Sequence, residues 1–165
     1  MPILDPHALE FFSRSPEQTR RMGIRLGSLL QKGDLVCLSG DLGSGKTTLV
    51  QGVARGWGSL DAVSSPTFIL VNMYRRPDGQ SLHHLDAYRM QSAGEAEDLD
   101  LVLMLEKGPM VMEWPERIQE VLPGERLWVD LRWMGDEHRG LMFIAQGRRY
   151  QSLLDELRRK SFGGL

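Results

Sequence analysis

The order of apolar patterns along this chain predicts an α/β fold, with helices on both faces of a mixed central sheet. Three observations carry that expectation. Leu35-Val36-Cys37-Leu38 and the segment Pro109 to Trp114 are short continuous apolar runs, as strands buried on both faces require. Apolar residues recur at helical spacing, first as Met22, Leu26, Leu29 and Leu30, then as Leu49, Val50, Val53, Ala54 and Trp57. The turn sequences Pro77-Asp78-Gly79 and Met134-Gly135-Asp136-Glu137 each join strand-like runs, which adds antiparallel pairing to the sheet.

Taken in order, residues 1–12 carry Pro2 and Pro6 and read as a loose arm. Ser15-Pro16-Glu17-Gln18 is a helix start, with Ser15 as N-cap, Pro16 in the first turn and Gln18 at the capping-box position; Gly33 stops this helix. A second helix runs from about Lys46 to Trp57 and ends at Gly58. Gly52 and Gly56 inside it each cost roughly 1 kcal/mol against alanine, so they read as points of close packing. Phe68 to Arg75 and Ser81 to Asp86 are read as hairpin strands, Ala93 to Leu105 as a helix, Leu127 to Trp133 and Gly140 to Ala145 as a final hairpin, and Tyr150 to Lys160 as a short basic helix. No repeat or linker interrupts the pattern, so 1–165 is read as a single domain with a basic C-terminal segment over 146–165.

A chain of 165 residues buries roughly 70% of its unfolded surface and needs no covalent staples. Its single cysteine, Cys37, excludes an internal disulfide framework and fits a reducing compartment. No stretch approaches ~20 apolar residues, so no membrane span is expected. The first residues lack the basic start and apolar run of a secretory signal, and a cytoplasmic location is expected. The net charge of −2 conceals an acidic segment, Glu95 to Asp100, and a basic last stretch with Arg139, Arg148, Arg149, Arg158, Arg159 and Lys160 against Asp155 and Glu156. That end has the charge to meet RNA or an acidic protein face, although a solvated helix face is the favoured reading.

The chemistry centres on Gly40-Asp41-Leu42-Gly43-Ser44-Gly45-Lys46-Thr47, a complete Walker A pattern between an apolar strand and a helix. Glycines let the backbone curl so that successive N–H groups converge on phosphate oxygens, and the following helix adds the positive end of its dipole. Lys46 is placed to reach the β- and γ-phosphates, and the Thr47 hydroxyl to ligate Mg²⁺. The expected fold sharpens to a P-loop NTPase-like three-layer sandwich, and the expected cofactors are ATP and Mg²⁺. Asp41, Leu42, Gly43, Ser44, Gly45, Lys46, Thr47 and Thr48 form the phosphate-contacting set. Catalysis needs further acids at the carboxyl ends of strands, and Asp86 and Glu113 are the candidates as metal ligand or as the group that orients the attacking water. His83 and His84 have no second ligand set at usable spacing and are read as exposed or structural rather than metal-binding. Cys37 is read as a small apolar core residue. Trp114 is either a stacking partner or a half-buried core residue.

These segments together resemble the TsaE (YjeE) family of small bacterial ATPases, from about Ser15 to Leu131. The resemblance is carried by the helix start at Ser15, the loop through Thr48, Gln51-Gly52-Val53-Ala54-Arg55-Gly56, Ser65-Pro66-Thr67-Phe68, His84-Leu85-Asp86-Ala87-Tyr88-Arg89 and Glu113-Trp114-Pro115-Glu116. It implies that Ser65 and Thr67 belong to a switch-like loop sensing the γ-phosphate, that Asp86 and Glu113 handle Mg²⁺ and water, and that Trp114 lies close to the nucleotide. It also implies an ATPase that is weak alone and works with the TsaD and TsaB proteins to make threonylcarbamoyladenosine in tRNA, reaching tRNA through that complex. Ala87 departs from the leucine frequent in the family. The rival readings are a small-molecule kinase, for which Arg75, Arg76 and Arg89 are the only lid candidates, and a non-catalytic assembly subunit that binds ATP as a clamp. A GTPase is disfavoured because no Asn-Lys-x-Asp motif occurs.

Overall fold

In the computed structural model, which describes residues 5–63 and 71–162, the elements follow in the order β1 (Ala8–Ser13), α1 (Pro16–Leu29), β2 (Leu35–Ser39), α2 (Lys46–Trp57), β3 (Val71–Arg75), β4 (Ser81–Asp86), α3 (Ala93–Glu97), α4 (Leu101–Lys107), β5 (Met110–Glu113), β6 (Arg126–Trp133), β7 (Arg139–Gln146) and α5 (Arg148–Phe162). Two 3-10 turns, Pro115–Arg117 and Gln119–Val121, follow β5. The strands form one seven-stranded sheet in the order β1-β7-β6-β2-β5-β4-β3. The pairings β6–β2, β2–β5 and β5–β4 are parallel, and the outer pairings β1–β7, β7–β6 and β4–β3 are antiparallel. The carboxyl ends of the four parallel strands therefore share one edge, where ligands gather in such sheets.

The continuous apolar run of β2 is explained by cover on both faces. Val36 and Leu38 enter the core under α1, α2 and α5, together with Leu26, Leu49, Val53, Phe143 and Leu154. Leu35 and Cys37 point the other way, into a second core with Met110, Met112, Ala96 and Ile118. This second layer ends near β2. The same face of β1, β7 and β6 carries Phe12, Met142, Ile144 and Arg132, with Phe12 57% exposed. The expected three-layer sandwich is present, and one of its helical layers covers only part of the sheet.

Close approach of α1 and α2 accounts for the glycines within them. A Cβ on Gly56 would meet the Ile24 carbonyl oxygen at 2.0 Å, and one on Gly52 the Arg20 oxygen at 2.1 Å. Gly23 and Gly27 on α1 are blocked in the same way, by Leu49 O at 2.5 Å and Val53 O at 2.0 Å. Ser15 caps α1 as expected, accepting the Gln18 N–H at 3.2 Å; the Gln18 side chain reaches back to the N–H of Arg14 rather than to that of Ser15.

Three expectations are corrected. The arm over 1–12 becomes a strand from Ala8 onward, because Leu9 is buried and its backbone pairs with β7. The helix expected over 93–105 is two short helices, broken where Asp100 takes a left-handed conformation (φ 53°) and its carboxylate caps the N–H of Leu103 at 3.1 Å. The basic end is a longer helix than expected. Its apolar face, Tyr150, Leu153, Leu154 and Leu157, is buried, and Arg149 pairs with buried Asp34 at 2.7 Å, which anchors the helix to the segment before β2. No helix among the described residues is long and apolar enough to cross a membrane.

Candidate functional site

The loop from Gly40 to Gly45 leaves the carboxyl end of β2, the middle strand, and turns directly into α2. Two positions require glycine. Gly40 has φ 143°, and a Cβ there would lie 2.4 Å from the carbonyl oxygen of Leu131 at the end of β6. Gly45 is the N-cap of α2 in the left-handed region (φ 102°), so the chain can enter the helix while its first N–H groups stay directed at the loop. Asp41, Leu42 and Gly43 form the exposed tip, and the Ser44 N–H closes it by donating to the Asp41 carbonyl at 3.1 Å. The Ser44 hydroxyl is buried and has no hydrogen-bond partner among the described residues. Thr47 and Thr48 are half-buried on the first turn of α2.

Lys46 is 6% exposed, and its ammonium donates to the Gly40 carbonyl while standing 3.9 Å over the Trp114 ring. Burial lowers its pKa from the usual lysine value, and the carboxylates of Glu113, Glu116, Asp86 and Asp41 oppose that shift. The tryptophan ring in turn packs on Tyr88, with centroids 4.9 Å apart, and Arg117 lies over the far ring. Trp114 itself holds a left-handed backbone (φ 57°, ψ 47°), a strained conformation for an aromatic residue directly after β5.

Asp86 and Glu113 end β4 and β5 and are register partners in the parallel pairing. The sheet thus brings the two acids together next to the strand that carries the loop. Glu113 is 6% exposed, so it is no surface acid. Its Oε2 lies 2.6 Å from Nε2 of His84, whose Nδ1 lies 2.9 Å from the Tyr74 hydroxyl. Asp86 accepts the Tyr88 N–H at 2.9 Å. Burial raises its pKa, Tyr88 lowers it, Glu113 raises it further, and His84 and Lys46 pull it down.

His83 and His84 are buried rather than exposed, the His84 ring is hydrogen-bonded through both nitrogens, and no cluster of three or more metal-binding side chains occurs among the described residues. Burial lowers the pKa of His83 from the usual histidine value, and Lys107 adds to the shift. Cys37 behaves as the apolar residue expected, its thiol pushed up to about 12 by burial. Ser65 and Thr67, the proposed switch residues, lie outside the described residues.

Periodicity gave no hint that His84 would hold Glu113. The signal was there in the strand alternation, since His84 and Asp86 sit two residues apart on one strand. Nor did it point to Arg139, whose side chain reaches the loop from the β6–β7 hairpin, with Nε 3.6 Å from where a Cβ on Gly45 would stand.

Loop amides, a buried ammonium, a threonine hydroxyl and two strand-end carboxylates could together hold a polyphosphate and one divalent cation. Mg²⁺ suits such a site because it takes one or two protein carboxylates and shares its remaining positions with phosphate oxygens and water.

Comparison with known proteins agrees over most of the chain. The family profile described as "Threonylcarbamoyl adenosine biosynthesis protein TsaE" matches residues 13–141. The tRNA threonylcarbamoyladenosine biosynthesis protein TsaE of Bacillus subtilis (strain 168) is 39% identical over 153 residues, 92% of this chain and 94% of that protein. Its counterpart in Streptomyces coelicolor is 46% identical over 137 residues, covering 79% and 93%. The crystal structure of Bacillus subtilis YdiB superposes with a TM-score of 0.78 at 33% identity, over 93% of this chain and 96% of that one. With the family profile over residues 13–141 and relatives of this identity along most of its length, the chain belongs to the TsaE family.

Proposed function

We propose that this chain is a Mg²⁺-dependent ATPase that couples ATP binding and hydrolysis to the TsaD and TsaB proteins in the synthesis of threonylcarbamoyladenosine in tRNA, in the cytoplasm. The observation that carries the reading is the placement of Lys46: buried at the root of the loop, with Asp86 and Glu113 close enough to act on its charge. A P-loop lysine so placed exchanges the Gly40 carbonyl for β- and γ-phosphate oxygens when nucleotide enters. The loop amides and the start of α2 hold the phosphates, and the Ser44 hydroxyl, without a partner among the described residues, gains an acceptor. Mg²⁺, when bound, neutralises charge on the β- and γ-phosphates.

Thr47, Asp86 and Glu113 are the residues that would hold the metal, and one of the two acids orients the attacking water. His84 holds Oε2 of Glu113 at 2.6 Å, which leaves its other oxygen for the metal or the water. Trp114 and Tyr88 wall the lysine from solvent. Loss of the γ-phosphate would then alter the Ser65-Pro66-Thr67 segment, as γ-phosphate switches do, and change affinity for the partners.

Of the three lid candidates of the kinase reading, Arg75 stands in an ion pair with Asp61 at 2.8 Å and Arg76 in one with Asp78 at 2.7 Å. Phosphate release measured with and without TsaD, TsaB and tRNA, in the absence of any other acceptor, tests the ATPase reading. Lys46→Ala should abolish release. Asp86→Asn and Glu113→Gln should each lower it at least a hundredfold while nucleotide still binds, and the variant of the metal ligand should raise the Mg²⁺ concentration needed. Normal turnover in Lys46→Ala, or partner-dependent function surviving both acid substitutions, would overturn it in favour of a different fuel or of a clamp.

A further inference from the structure

The helical layer over Cys37 and Met112 stops at Trp128 of β6, which packs at its edge. On the far side of Trp128 the same sheet face continues across β6, β7 and β1, and its side chains stand open to solvent. The pairing registers set that face out in rows. Phe12 and Arg132 flank Gly140 in one row, Glu10 and Asp130 flank Met142 in the next, and Ile144 sits beside Trp128 in the third. Because Gly140 has no side chain, a hollow of about 230 Å³ opens among Phe12, Arg132 and Met142, with Met134 of the hairpin at its rim.

Phe12 is 57% and Ile144 38% exposed, and a contiguous apolar face rimmed by charge marks a place where something docks. Width and charge say what fits. Three strands about 4.8 Å apart put the outer two about 10 Å from each other, and one α-helix with its side chains is about 10 Å across. The bare strip is thus one helix wide. Its open charges are Glu10, Asp130 and Arg132, two carboxylates against one guanidinium. Arg132 is 3.5 Å from Asp130, and Glu10 forms no ion pair among the described residues. A second copy would set two net-negative faces against each other, which like-charge repulsion opposes. A helix whose apolar stripe is bordered by basic side chains is matched to this face.

We propose that the open face of β1, β7 and β6 docks one amphipathic helix of the TsaD–TsaB assembly, its apolar stripe over Phe12, Met142 and Ile144 and its basic side chains toward Glu10 and Asp130. The inference rests on the reading of those proteins as partners and adds the surface that meets them. The face also leads to the phosphate loop. Trp128 Nε1 donates to the Ser39 hydroxyl at 2.8 Å, and that hydroxyl donates to Asp130 at 2.8 Å. Ser39 is the residue before Gly40, so a helix seated on Trp128 and Asp130 bears on the two side chains that hold the root of the loop.

Calorimetric titration of the TsaD–TsaB complex with this chain, Mg-ATP present, tests it. The proteins to compare are wild type, the double variant Phe12→Thr with Ile144→Thr, whose threonines keep β-propensity, and Glu10→Lys. The double variant should bind the complex about tenfold more weakly, the scale on which buried aromatic and aliphatic anchors count. Glu10→Lys should also bind more weakly, by about threefold, with the loss shrinking as salt is raised. Mg-ATP binding by each variant alone should match wild type, which shows that the fold and the loop are intact. Full-strength binding of TsaD–TsaB by the double variant would overturn the proposal. So would sedimentation that finds a wild-type dimer dissolved by the same two substitutions, since a second copy would then occupy the face. Wild type that binds Mg-ATP but not TsaD–TsaB would instead bring down the partner reading, and this docking with it.

Discussion

Nε2 of His84 stands 2.6 Å from Oε2 of Glu113 inside the sheet, where the histidine has no exposed surface and the glutamate almost none. The two belong to adjacent parallel strands, and the Tyr74 hydroxyl of β3 closes the far side of the ring at 2.9 Å. A glutamate at the mouth of a site has several rotamers, and this chain of contacts across three strands leaves it far fewer.

Removing the outer member should therefore cost stability before it costs chemistry. Tyr74→Phe leaves Nδ1 of His84 buried without a partner, a penalty of about 1–3 kcal/mol to be read from urea unfolding. His84→Ala, which frees Glu113 directly, should lower phosphate release far more than Tyr74→Phe does. Equal losses of activity in the two variants would speak against control of the glutamate by the histidine.

The α1–α2 contact makes glycine indispensable at four places, Gly23, Gly27, Gly52 and Gly56. Gly27→Ala would drive its methyl to 2.0 Å from the Val53 carbonyl oxygen, so the helices must part, at about 3 kcal/mol. Gly94→Ala is the control. It lies on α3 with only the Ser92 hydroxyl within contact, at 3.7 Å, and should stabilise the protein by about 0.5 kcal/mol.

Ser15 supplies the cap of α1 through its hydroxyl, 3.2 Å from the Gln18 nitrogen. Ser15→Ala should lower unfolding free energy by about 1 kcal/mol, whereas Ser15→Asp should retain it.

Cys37 should give an alkaline signature. Below its unfolded value of 9.0 the thiol is protonated in both states and contributes no pH dependence. As pH rises above 9.0 the unfolded chain loses the proton and the folded chain keeps it up to about 12, so stability falls by about 1.4 kcal/mol per pH unit across that window. Cys37→Ala lacks this slope, and the difference between the two proteins in urea unfolding should grow from pH 9 to 11. Buried Tyr150, whose pKa is also raised, titrates in both proteins and cancels from the difference.

Much of this protein can be read along the chain. The glycine-rich loop, the capped first helix, both hairpins and the acids at the ends of β4 and β5 are all signalled locally, because turn chemistry, caps and phosphate cradles depend on neighbours in sequence. Even the packing role of Gly52 and Gly56 follows from their placement within a helix. Other features required the sheet to assemble. Ala8–Ser13 looks like an arm until β7 offers it a ladder of hydrogen bonds, and Asp100 breaks a helix that the spacing of leucines would have continued. The meeting of Tyr74, His84 and Glu113, and the reach of Arg139 to Gly45 across more than ninety residues, depend on which strands become neighbours. Strand order is a long-range property: it is fixed by burial on two faces at once, and no window of sequence contains both partners.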